Sequence, residues 1–453
     1  MNNKIDDNIY HAIYIDSNIC TGCTRCLKVC PTRAIRIRNG VATIDNRRCI
    51  DCGDCYRVCL VKAVKIEQGN IDSIFKYKYR VALIPTVLTG QFALDVSTDK
   101  IYKALLSIGF THVYEEEQSV DFQIEAIKRF QKETDTNPII STFCPAIVRL
   151  IQVRFPMLVD NLVLIKSLID ITAMTILDDF KKKGVDEKDI GIFYITPCSA
   201  KMVAVYSPVG GYNSCITDTI NLDLIYNLIS KELITIDKKD IELESRINLD
   251  ASDILWSITG GEAKYASGRS LSIDGIDNVT EFLDKVDNEA IDDIDFLELR
   301  ACDQGCPGGV LCPSNRFLTV EKMGMRANST YEGTTKLYKK PIITHKYEEI
   351  QVNPVKPRKH LGLDGDLSVA LKKMEKIHKY TCFLPGFDCG ACGAPDCHSF
   401  ARDVVNKEAQ LSNCVFMQVS TGTIDKKHGK KLIENIWGKN RLEKDCNKKG
   451  VQE

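Results

Sequence analysis

Two runs of closely spaced cysteines stand out in the first 60 residues of this 453-residue chain. The segments NICTGCTRCLKVCPTRAI and RCIDCGDCYRVCLVKAV share the spacing C-x2-C-x2-C-x3-C. Their cysteines are Cys20, Cys23, Cys26 and Cys30 in the first run and Cys49, Cys52, Cys55 and Cys59 in the second. Thiolates packed this closely can ligate a metal ion or an iron–sulfur cluster from one short stretch of chain.

Composition limits what the cysteines can do. The first residues, MNNKIDDNIYHAIYID, lack the basic and apolar regions of an export signal, so we expect a cytoplasmic protein. In that reducing compartment, the 20 cysteines are better explained by cluster binding than by a disulfide framework. A net charge of −1 gives no excess charge to attract nucleic acid or a membrane surface. No run of about 18 uncharged apolar residues predicts a membrane helix.

The spacing of both runs is that of bacterial 4Fe-4S proteins, in which the fourth cysteine of each run serves the other cluster. We therefore predict one 4Fe-4S cluster on Cys20, Cys23, Cys26 and Cys59, and a second on Cys49, Cys52, Cys55 and Cys30. Zinc is the weaker alternative, because zinc sites pair two C-x2-C knuckles. Asn39-Gly40, between the runs, predicts a hairpin turn. Two one-electron carriers indicate redox chemistry in the remainder of the chain.

From Val81 to about residue 330 the sequence is typical of an α/β domain with parallel sheets. YRVALIPTV and DIGIFYITPC predict buried strands, and DNLVLIKSLIDITAMTILDDFKKKG predicts a helix ending in lysines and glycine. Isolated cysteines here are more often core residues than ligands. However, Cys144 and Cys198 follow apolar runs, at the strand ends where α/β sheets build sites. Cys302 and Cys306 lie beside glycines that allow close approach of a bulky ligand.

These four cysteines carry a resemblance to the FeFe-hydrogenases. That family has three loops, T-S-C-C-P, M-P-C-x-x-K and E-x-M-x-C-x-x-x-C followed by glycines, which appear here in order as TFCP, TPCSAK and ELRACDQGCPGG. The resemblance implies that Cys144, Cys198, Cys302 and Cys306 ligate the 4Fe-4S part of an H-cluster. It further implies that Cys306 bridges to a two-iron subcluster with CO, cyanide and a bridging dithiolate, and that Lys201 hydrogen-bonds a cyanide.

The departures from the family pattern affect proton transfer. Active members have a relay cysteine where this chain has Phe143, which cannot carry a proton, and Thr196 and Arg300 replace methionines. Replacement relays could use four carboxylates, which are Glu116, Glu117, Glu125 and Asp303. A solvated helix face is the more common interpretation of such carboxylates.

The C-terminal region predicts another cluster. Cys389, Cys392, Cys397 and Cys414 have the spacing C-x2-C-x4-C-x16-C and resemble a small helical 4Fe-4S domain, with DLSVALKKMEKIHKY as a preceding amphipathic helix. We predict a ferredoxin-like α+β domain over residues 1–72, an H-cluster domain over 73–326, a linker over 327–364, the C-terminal cluster domain over 365–422 and a basic helical tail over 423–453.

This arrangement is similar to that of sensory FeFe-hydrogenases. It implies reversible, slow oxidation of H2 to protons and electrons, with a ferredoxin-like electron partner and a kinase or phosphatase as signalling partner. A homodimer is compatible with the sequence, whereas nucleic acid and membranes are not expected partners. Two alternatives remain open: a bulk metabolic, ferredoxin-linked hydrogenase, and a non-enzymatic hydrogenase-like protein that lacks the two-iron subcluster.

Overall fold

A computed structural model describes residues 9–238, 241–243, 245–288, 291, 293–329, 335–340, 343–358 and 363–421. The chain forms two compact units. The first unit comprises Met1–Ile13, Ile50–Gly53 and Ile66–Pro357, and the second comprises Tyr14–Cys49, Asp54–Lys65 and Arg358–Glu453. The second unit therefore combines most of the predicted N-terminal cluster domain with the C-terminal region.

The strands are short and distributed along the chain. In order they are β1 (Ile13–Ile15), β2 (Ile35–Arg38), β3 (Val41–Ile44), β4 (Val64–Ile66), β5 (Tyr79–Ile84), β6 (His112–Glu115), β7 (Ile139–Ile140), β8 (Ile190–Thr196), β9 (Asp218–Asn221), β10 (Ser245–Ile247), β11 (Ser270–Asp274), β12 (Phe296–Arg300) and β13 (Lys336–Tyr338).

The helices alternate with these strands. They are α1 (Arg25–Lys28), α2 (Asp54–Val58), α3 (Thr86–Gly90), α4 (Thr98–Ile108), α5 (Val120–Glu133), α6 (Pro145–Arg154), α7 (Leu168–Lys182), α8 (Ser199–Tyr206), α9 (Leu222–Leu233), α10 (Ala251–Ile254), α11 (Ile276–Asp287), α12 (Arg316–Asn328), α13 (Tyr347–Ile350), α14 (Leu367–Phe383), α15 (Cys397–Val405) and α16 (Val415–Thr421).

A four-stranded parallel sheet forms one core of the first unit, with strand order β6-β5-β8-β9. Alternate residues of β5 and β8 point to opposite faces, as in any strand. Ile84 and Ile195 pack in one hydrophobic cluster and Leu83 and Tyr194 in another. Because both faces are covered, the central strands β5 and β8 are apolar over residues 81–84 and 190–195, as the sequence predicted.

A three-stranded parallel sheet, with order β11-β12-β7, forms a second core of the first unit. Leu297 and Leu299 of β12 pack with residues of α6 and α11, whereas Phe296 faces a cluster that includes Tyr347 and Ile350 of α13. The predicted α/β architecture with parallel sheets is confirmed by these two sheets.

In the second unit, β2 and β3 form the predicted antiparallel hairpin. Asn39 and Gly40 both have positive φ, 52° and 77°, as a type I′ turn requires. Helices α14 to α16 form the C-terminal region, where Ile377, Leu384 and Phe400 are the centre of a small core. The predicted α+β and helical cluster regions are therefore present.

The segment interpreted as a linker, residues 327–364, carries regular structure where it is described. Strand β13 pairs in parallel with β10, and Tyr347 and Ile350 of α13 are buried. Two apolar side chains three residues apart on one helical turn suffice to anchor such a segment. The predicted basic tail over 423–453 lies outside the described residues. Among the described helices, none combines the length and apolarity needed to cross a bilayer.

Candidate active site and cluster-binding sites

Each of the three cysteine loops begins where a parallel strand ends. Cys144 follows β7 and is the N-cap of α6, and Cys198 follows β8 and is the N-cap of α8. Cys302 and Cys306 follow β12. Carboxyl ends of parallel strands are where α/β sheets place their ligands, and helix N-termini favour negatively charged groups such as thiolates.

Glycines and a backbone hydrogen bond hold the third loop against the second loop and against Ser257. The Leu311 N–H donates to the Pro197 carbonyl at 3.0 Å, which ties the third loop to the second. A Cβ on Gly309 would lie 2.4 Å from that same Pro197 oxygen. Gly305 has a φ of 73°, and a Cβ added to it would lie only 2.6 Å from the Ser257 carbonyl oxygen. Only glycine permits this approach, so the glycines of the third loop set its position.

The thiols of three different loops interact electrostatically. Burial raises the pKa of Cys198 to about 12, and the neighbouring Cys306 and Cys144 thiols add to that increase. Burial also raises the pKa of Cys306 to about 11, although Lys201 and Arg300 act against the shift. Cys302 lies in the same turn as Cys306, because its carbonyl accepts from the Gly305 N–H at 3.1 Å. Thiols that repel one another in a buried site are stabilised as thiolates by metal ions.

Lys201 lies one helical turn after Cys198 and is buried, with 3% of its side chain exposed. Its ammonium donates to Glu116 Oε1 at 2.8 Å and to the Tyr194 hydroxyl at 3.2 Å. Burial acts to lower the pKa of Lys201, but Glu116 and the Cys306 thiol raise it above its ordinary value. The lysine is therefore charged, and its third N–H has no acceptor among the described residues.

Phe143 lies between two cations. Its ring centroid is 4.6 Å from Lys201 Nζ and 4.0 Å from Arg300 Cζ. Both distances are within the range of cation–π attraction. The ring also lines a small cavity with Lys201 and Asp170. Phenylalanine at this position therefore separates the two positive groups and provides no group that could transfer a proton between them.

Arg300 is the centre of a buried ionic cluster. Its Nε donates to Glu298 at 3.0 Å, and its Nη2 lies 3.4 Å from Glu262, which accepts from Ser141 Oγ at 2.5 Å. Burial raises the pKa of Glu262 to about 7; Arg300 opposes the increase and Glu298 adds to it. Ser141 also accepts from the Phe143 N–H at 3.2 Å, so the cluster reaches the first cysteine loop.

The donor groups around the thiols fit a bound anionic cofactor. Arg300 Nη1 is buried and has no hydrogen-bond acceptor among the described residues. An unsatisfied charged donor is costly in a protein interior, unless a ligand supplies the acceptor. The third N–H of Lys201 also lacks an acceptor among the described residues, which a bound ligand could supply. Four cysteines with two cations at their border therefore suit a thiolate-bound cluster that carries anionic ligands.

The first N-terminal cysteine set is brought together in the second unit. Burial raises the pKa of Cys26 to about 11, and Cys20, Cys23 and Cys59 contribute further. These are the four residues predicted from the ferredoxin spacing. The Ala42 N–H donates to Cys20 Sγ at 3.4 Å, and the Ala63 N–H donates to Cys59 Sγ at 3.2 Å. Amide hydrogen bonds to sulfur are among the groups that tune iron–sulfur clusters.

The second N-terminal set is divided between the two units. In the second unit, Cys55 has a raised pKa because of burial and because Cys30 is near. Cys49 is also in this unit, whereas Cys52 belongs to the first. In the first unit, Cys52 packs against the same hydrophobic cluster as Cys144 and Cys198. Its loop is fixed there, because the Asp51 carbonyl accepts from Ser199 Oγ at 2.7 Å.

The C-terminal cysteines surround a common cavity in the second unit. Cys389, Cys392, Cys397 and Cys414 line it together with apolar side chains such as Phe387 and Phe400. The pKa of Cys392 is raised to about 11 by burial, with contributions from the other three cysteines. A small apolar pocket lined by four thiols is a suitable site for the predicted 4Fe-4S cluster.

The candidate relay carboxylates differ in their surroundings. Glu116 and Glu117 are buried, so their interpretation as a solvated helix face is wrong; Glu117 caps α3 by accepting from the Thr86 N–H at 3.0 Å. Glu125 is exposed, as that interpretation expects. Asp303 forms an ion pair with Arg316 at 2.6 Å.

Sequence reasoning missed Glu262 and Glu298. Arg300 could have indicated these two carboxylates. It replaces a methionine of the family pattern, and an arginine that is buried there needs carboxylate partners.

Comparisons with protein families agree with the three regions. Residues 78–209 match the family described as "Iron only hydrogenase large subunit, C-terminal domain", which includes Cys144, Cys198 and Lys201. Residues 12–60 match a 4Fe-4S dicluster domain. Residues 384–416 match the FeS family of iron–sulfur cluster segments. The chain therefore has iron–sulfur domains near both ends of its described part.

Curated relatives are similar over different lengths. The NADP-reducing hydrogenase subunit HndD of Solidesulfovibrio fructosivorans is 23% identical over 421 aligned residues, which cover 76% of this chain. An uncharacterised protein of Methanocaldococcus jannaschii is 44% identical over 45 residues, or 10% of this chain. The chain spans 65% of the first relative's length and 20% of the second's.

Solved structures with similarity to this chain include FeFe-hydrogenases. The structure of HydA(deltaEFG), described in terms of H-cluster assembly, has a TM-score of 0.48 and 13% identity, and covers 63% of this chain and 98% of its own. A variant of HydA1 from Chlamydomonas reinhardtii has a TM-score of 0.47 and 14% identity, with coverage of 63% and 98%.

Proposed function

We propose that this chain, a member of the iron-only hydrogenase large-subunit family, activates molecular hydrogen at the site where its three cysteine loops meet. The observation that carries the proposal is the convergence of buried thiols from three strand ends beside the charged Lys201 and Arg300. Ordinary electron-transfer sites need only thiols. Two buried cations with donors to spare indicate a cofactor that also has anionic ligands.

In this proposal, Cys144, Cys198, Cys302 and Cys306 hold the 4Fe-4S part of an H-cluster. Cys306 would also hold the two-iron subcluster, with its CO, cyanide and dithiolate ligands. When bound, this cofactor supplies the chemistry that converts H2 into two protons and two electrons. Lys201 would donate its remaining N–H to a cyanide of the cofactor, while Glu116 and Tyr194 hold the ammonium in position.

The presence of Phe143 supports the proposal that turnover is slow. A proton leaving the site needs a titratable group within hydrogen-bond reach, and a phenyl ring has none. The ring also lies between Lys201 and Arg300, within 4.6 Å of the first and 4.0 Å of the second. Slow turnover suits a protein that senses hydrogen or redox state better than one that supports bulk metabolism. In such a role, a kinase or phosphatase would read the state of the C-terminal domain.

The packing around Cys52 supports electron exit through the N-terminal clusters. This cysteine, a predicted ligand of the second N-terminal cluster, packs on the same hydrophobic cluster as Cys144 and Cys198. Gly53 brings the loop against Val310, because an added Cβ would lie 2.6 Å from Val310 Cγ1. A ferredoxin-like protein would then be the external electron partner.

Hydrogen-dependent reduction of an artificial dye by matured, full-length protein tests the proposal. We expect measurable activity in the natural chain and none in Cys306→Ser. The matched control is Cys312→Ser, which changes a neighbouring thiol that donates to the Cys306 carbonyl and is not a predicted ligand. Equal loss in both variants, or full activity in Cys306→Ser, would reject the assigned role of Cys306. Turnover equal to that of a relative with the relay cysteine would contradict the sensing role.

A further inference from the structure

The C-terminal cysteine loop lies directly on the N-terminal hairpin within the second unit. The Ile37 N–H of β2 donates to the Gly393 carbonyl at 2.9 Å. Arg38 Nη1 donates to the carbonyl oxygens of Cys392 at 3.4 Å and Gly393 at 3.2 Å. The backbone around one predicted cluster ligand is therefore hydrogen-bonded to a strand of the other cluster domain.

Glycines bring the two domains into close contact. Gly393 has φ of 78°, and an added Cβ would lie 2.2 Å from the Ile37 oxygen. Gly390, which follows Cys389, would place a Cβ 3.3 Å from Leu27 Cδ2, and Leu27 follows Cys26. The Leu27 side chain, next to one predicted ligand, thus lies against the backbone next to another, at Gly390.

A buried ion-pair network holds this contact. Asp403 of α15 has 3% of its side chain exposed, and it accepts from Arg36 at 2.6 and 3.0 Å and from Arg38 at 2.7 Å. Arg33 pairs with Asp396 at 2.7 Å at the edge of the same contact. Bidentate arginine–carboxylate pairs fix geometry as well as adding energy. The contact is therefore a specific interface.

The same hairpin also reaches the first N-terminal cysteine set. The Ala42 N–H of β3 donates to Cys20 Sγ at 3.4 Å. Gly22, two residues after Cys20, would place a Cβ 2.6 Å from the Gly40 oxygen in the hairpin turn. One short hairpin thus contacts both cysteine sets. Ala42 donates to a sulfur of the N-terminal set, and Ile37 and Arg38 donate to the backbone of the C-terminal cysteine loop.

We propose that the C-terminal cluster exchanges electrons directly with the cluster on Cys20, Cys23, Cys26 and Cys59, through the interface formed by the β2–β3 hairpin, Gly390 and Gly393. One electron leaves the N-terminal cluster, which is oxidised, and enters the C-terminal cluster, which is reduced. No bond forms or breaks and no proton moves. The C-terminal domain is then an internal electron acceptor whose redox state follows that of the N-terminal clusters.

Arg38 favours the C-terminal cluster as the acceptor. Its guanidinium lies on the carbonyls of Cys392 and Gly393, and positive charge close to a cluster stabilises its reduced form. Asp403 accepts hydrogen bonds from both Arg36 and Arg38. Among the described arginines, only Arg38 donates to the carbonyls of Cys392 and Gly393. We therefore assign Arg38 as a positioning residue that raises the reduction potential of the C-terminal cluster.

This inference rests on the cluster content given under Proposed function, but it does not need hydrogen activation. Dithionite can supply the electrons in place of H2. A protein that fails to oxidise H2 but shows the coupling described below would disprove the proposed enzyme and leave the electron path intact. The reverse result would disprove the path alone.

Pulsed electron paramagnetic resonance of dithionite-reduced, full-length protein tests the contact. Two reduced clusters at such an interface relax each other's spins, so the N-terminal signal should relax faster than in a Cys392→Ser/Cys397→Ser variant that lacks the C-terminal cluster. Iron analysis confirms that only this cluster is lost. Identical relaxation in the two proteins would overturn the proposal.

A redox titration tests Arg38. We expect Arg38→Gln to lower the midpoint potential of the C-terminal cluster, because a positive charge near its ligand is removed. Arg25→Gln is the matched control: Arg25 is an exposed residue of α1 for which the described residues offer no ion-pair partner. An unchanged potential in Arg38→Gln, or an equal decrease in both variants, would overturn the assignment.

Discussion

At position 143 a single side chain determines which groups can approach the candidate active site. The Phe143 ring contacts Lys201 and Arg300 and packs beside Val120 and Trp256. Each cation–π contact is worth about 0.5 to 2 kcal/mol, depending on desolvation. Phenylalanine therefore stabilises the site, but it leaves the position without a proton carrier.

Replacing this ring with a thiol should increase turnover. Positioned acid–base groups typically contribute about 10²-fold to 10⁴-fold in rate, so Phe143→Cys is expected to oxidise H2 faster, provided that the outward path is intact. The smaller side chain leaves a cavity that costs roughly 2 to 4 kcal/mol of stability. Phe143→Ala is the control, since it opens a similar cavity without a titratable group. Equal rates in the two variants, both fully loaded with iron, would show that the proton block lies elsewhere.

Lys201 and Glu116 form a buried pair whose two members have different roles. Lys201→Met removes the ammonium and leaves Glu116 as an uncompensated buried charge, which should cost about 3 to 5 kcal/mol in denaturant unfolding. Lys201→Met/Glu116→Gln removes that charge and should recover most of the stability. Hydrogen oxidation should stay absent in both variants, because the donor to the cofactor is missing. Activity that returns with stability would mean that Lys201 only supports the fold.

Glu262 gives the protein a pH-dependent stability. Its pKa in the folded chain is about 7, against an ordinary value of 4.5, so the fold favours its protonated form. The stability contributed by this group is therefore full below pH 4.5 and is lost as the pH rises to about 7. The difference in the free energy of unfolding between Glu262→Gln and the natural chain should therefore shift in favour of the variant as the pH rises from 4.5 to about 7. Above that pH the difference should be constant. Denaturant unfolding measures it. A constant difference between the two proteins would mean that Glu262 is ionised throughout.

At the scale of elements, the strand ends position the cysteines and the glycines close the loops. Gly305→Ala places a Cβ 2.6 Å from the Ser257 oxygen at a φ of 73°, which costs about 1 to 3 kcal/mol in strain. We expect the third loop to move outward and the H-cluster iron to be lost, while the other clusters remain. Gly324→Ala on α12 is the control, because nothing lies within 4 Å of its added Cβ. Full iron content in Gly305→Ala would contradict this role of the loop.

Local patterns in the sequence predicted several of the helices and strands around the candidate cysteine sites. The hairpin at Asn39 and Gly40, the buried strands β5 and β8, and helix α14 follow from turn chemistry and periodicity, which act over a few residues. Burial of Glu116 could not be predicted, because its partner Lys201 lies 85 residues away and no local pattern joins them. Helix α13 was missed because only two of its four residues are buried, too few to produce a period.

At the scale of the whole molecule, sequence order does not reveal which parts share a unit. The contact between Arg36 and Asp403 joins residues 367 positions apart. Spacing rules predict a cysteine set on each side of that contact, since each set is local. They could not show that the two sets share an interface. The C-terminal cluster domain, which the sequence predicts as a separate domain, is packed on the β2–β3 hairpin within the second unit.

Infrared spectroscopy of matured protein, in the region where metal-bound carbon monoxide and cyanide absorb, tests the proposed cofactor directly. We expect such bands in the natural chain. We also expect their loss in Cys306→Ser, with the N-terminal and C-terminal iron–sulfur signals retained. If the natural chain is fully loaded at its other cluster sites and matured in the same way, yet shows no carbonyl or cyanide bands, then this site does not hold a hydrogen-activating cofactor.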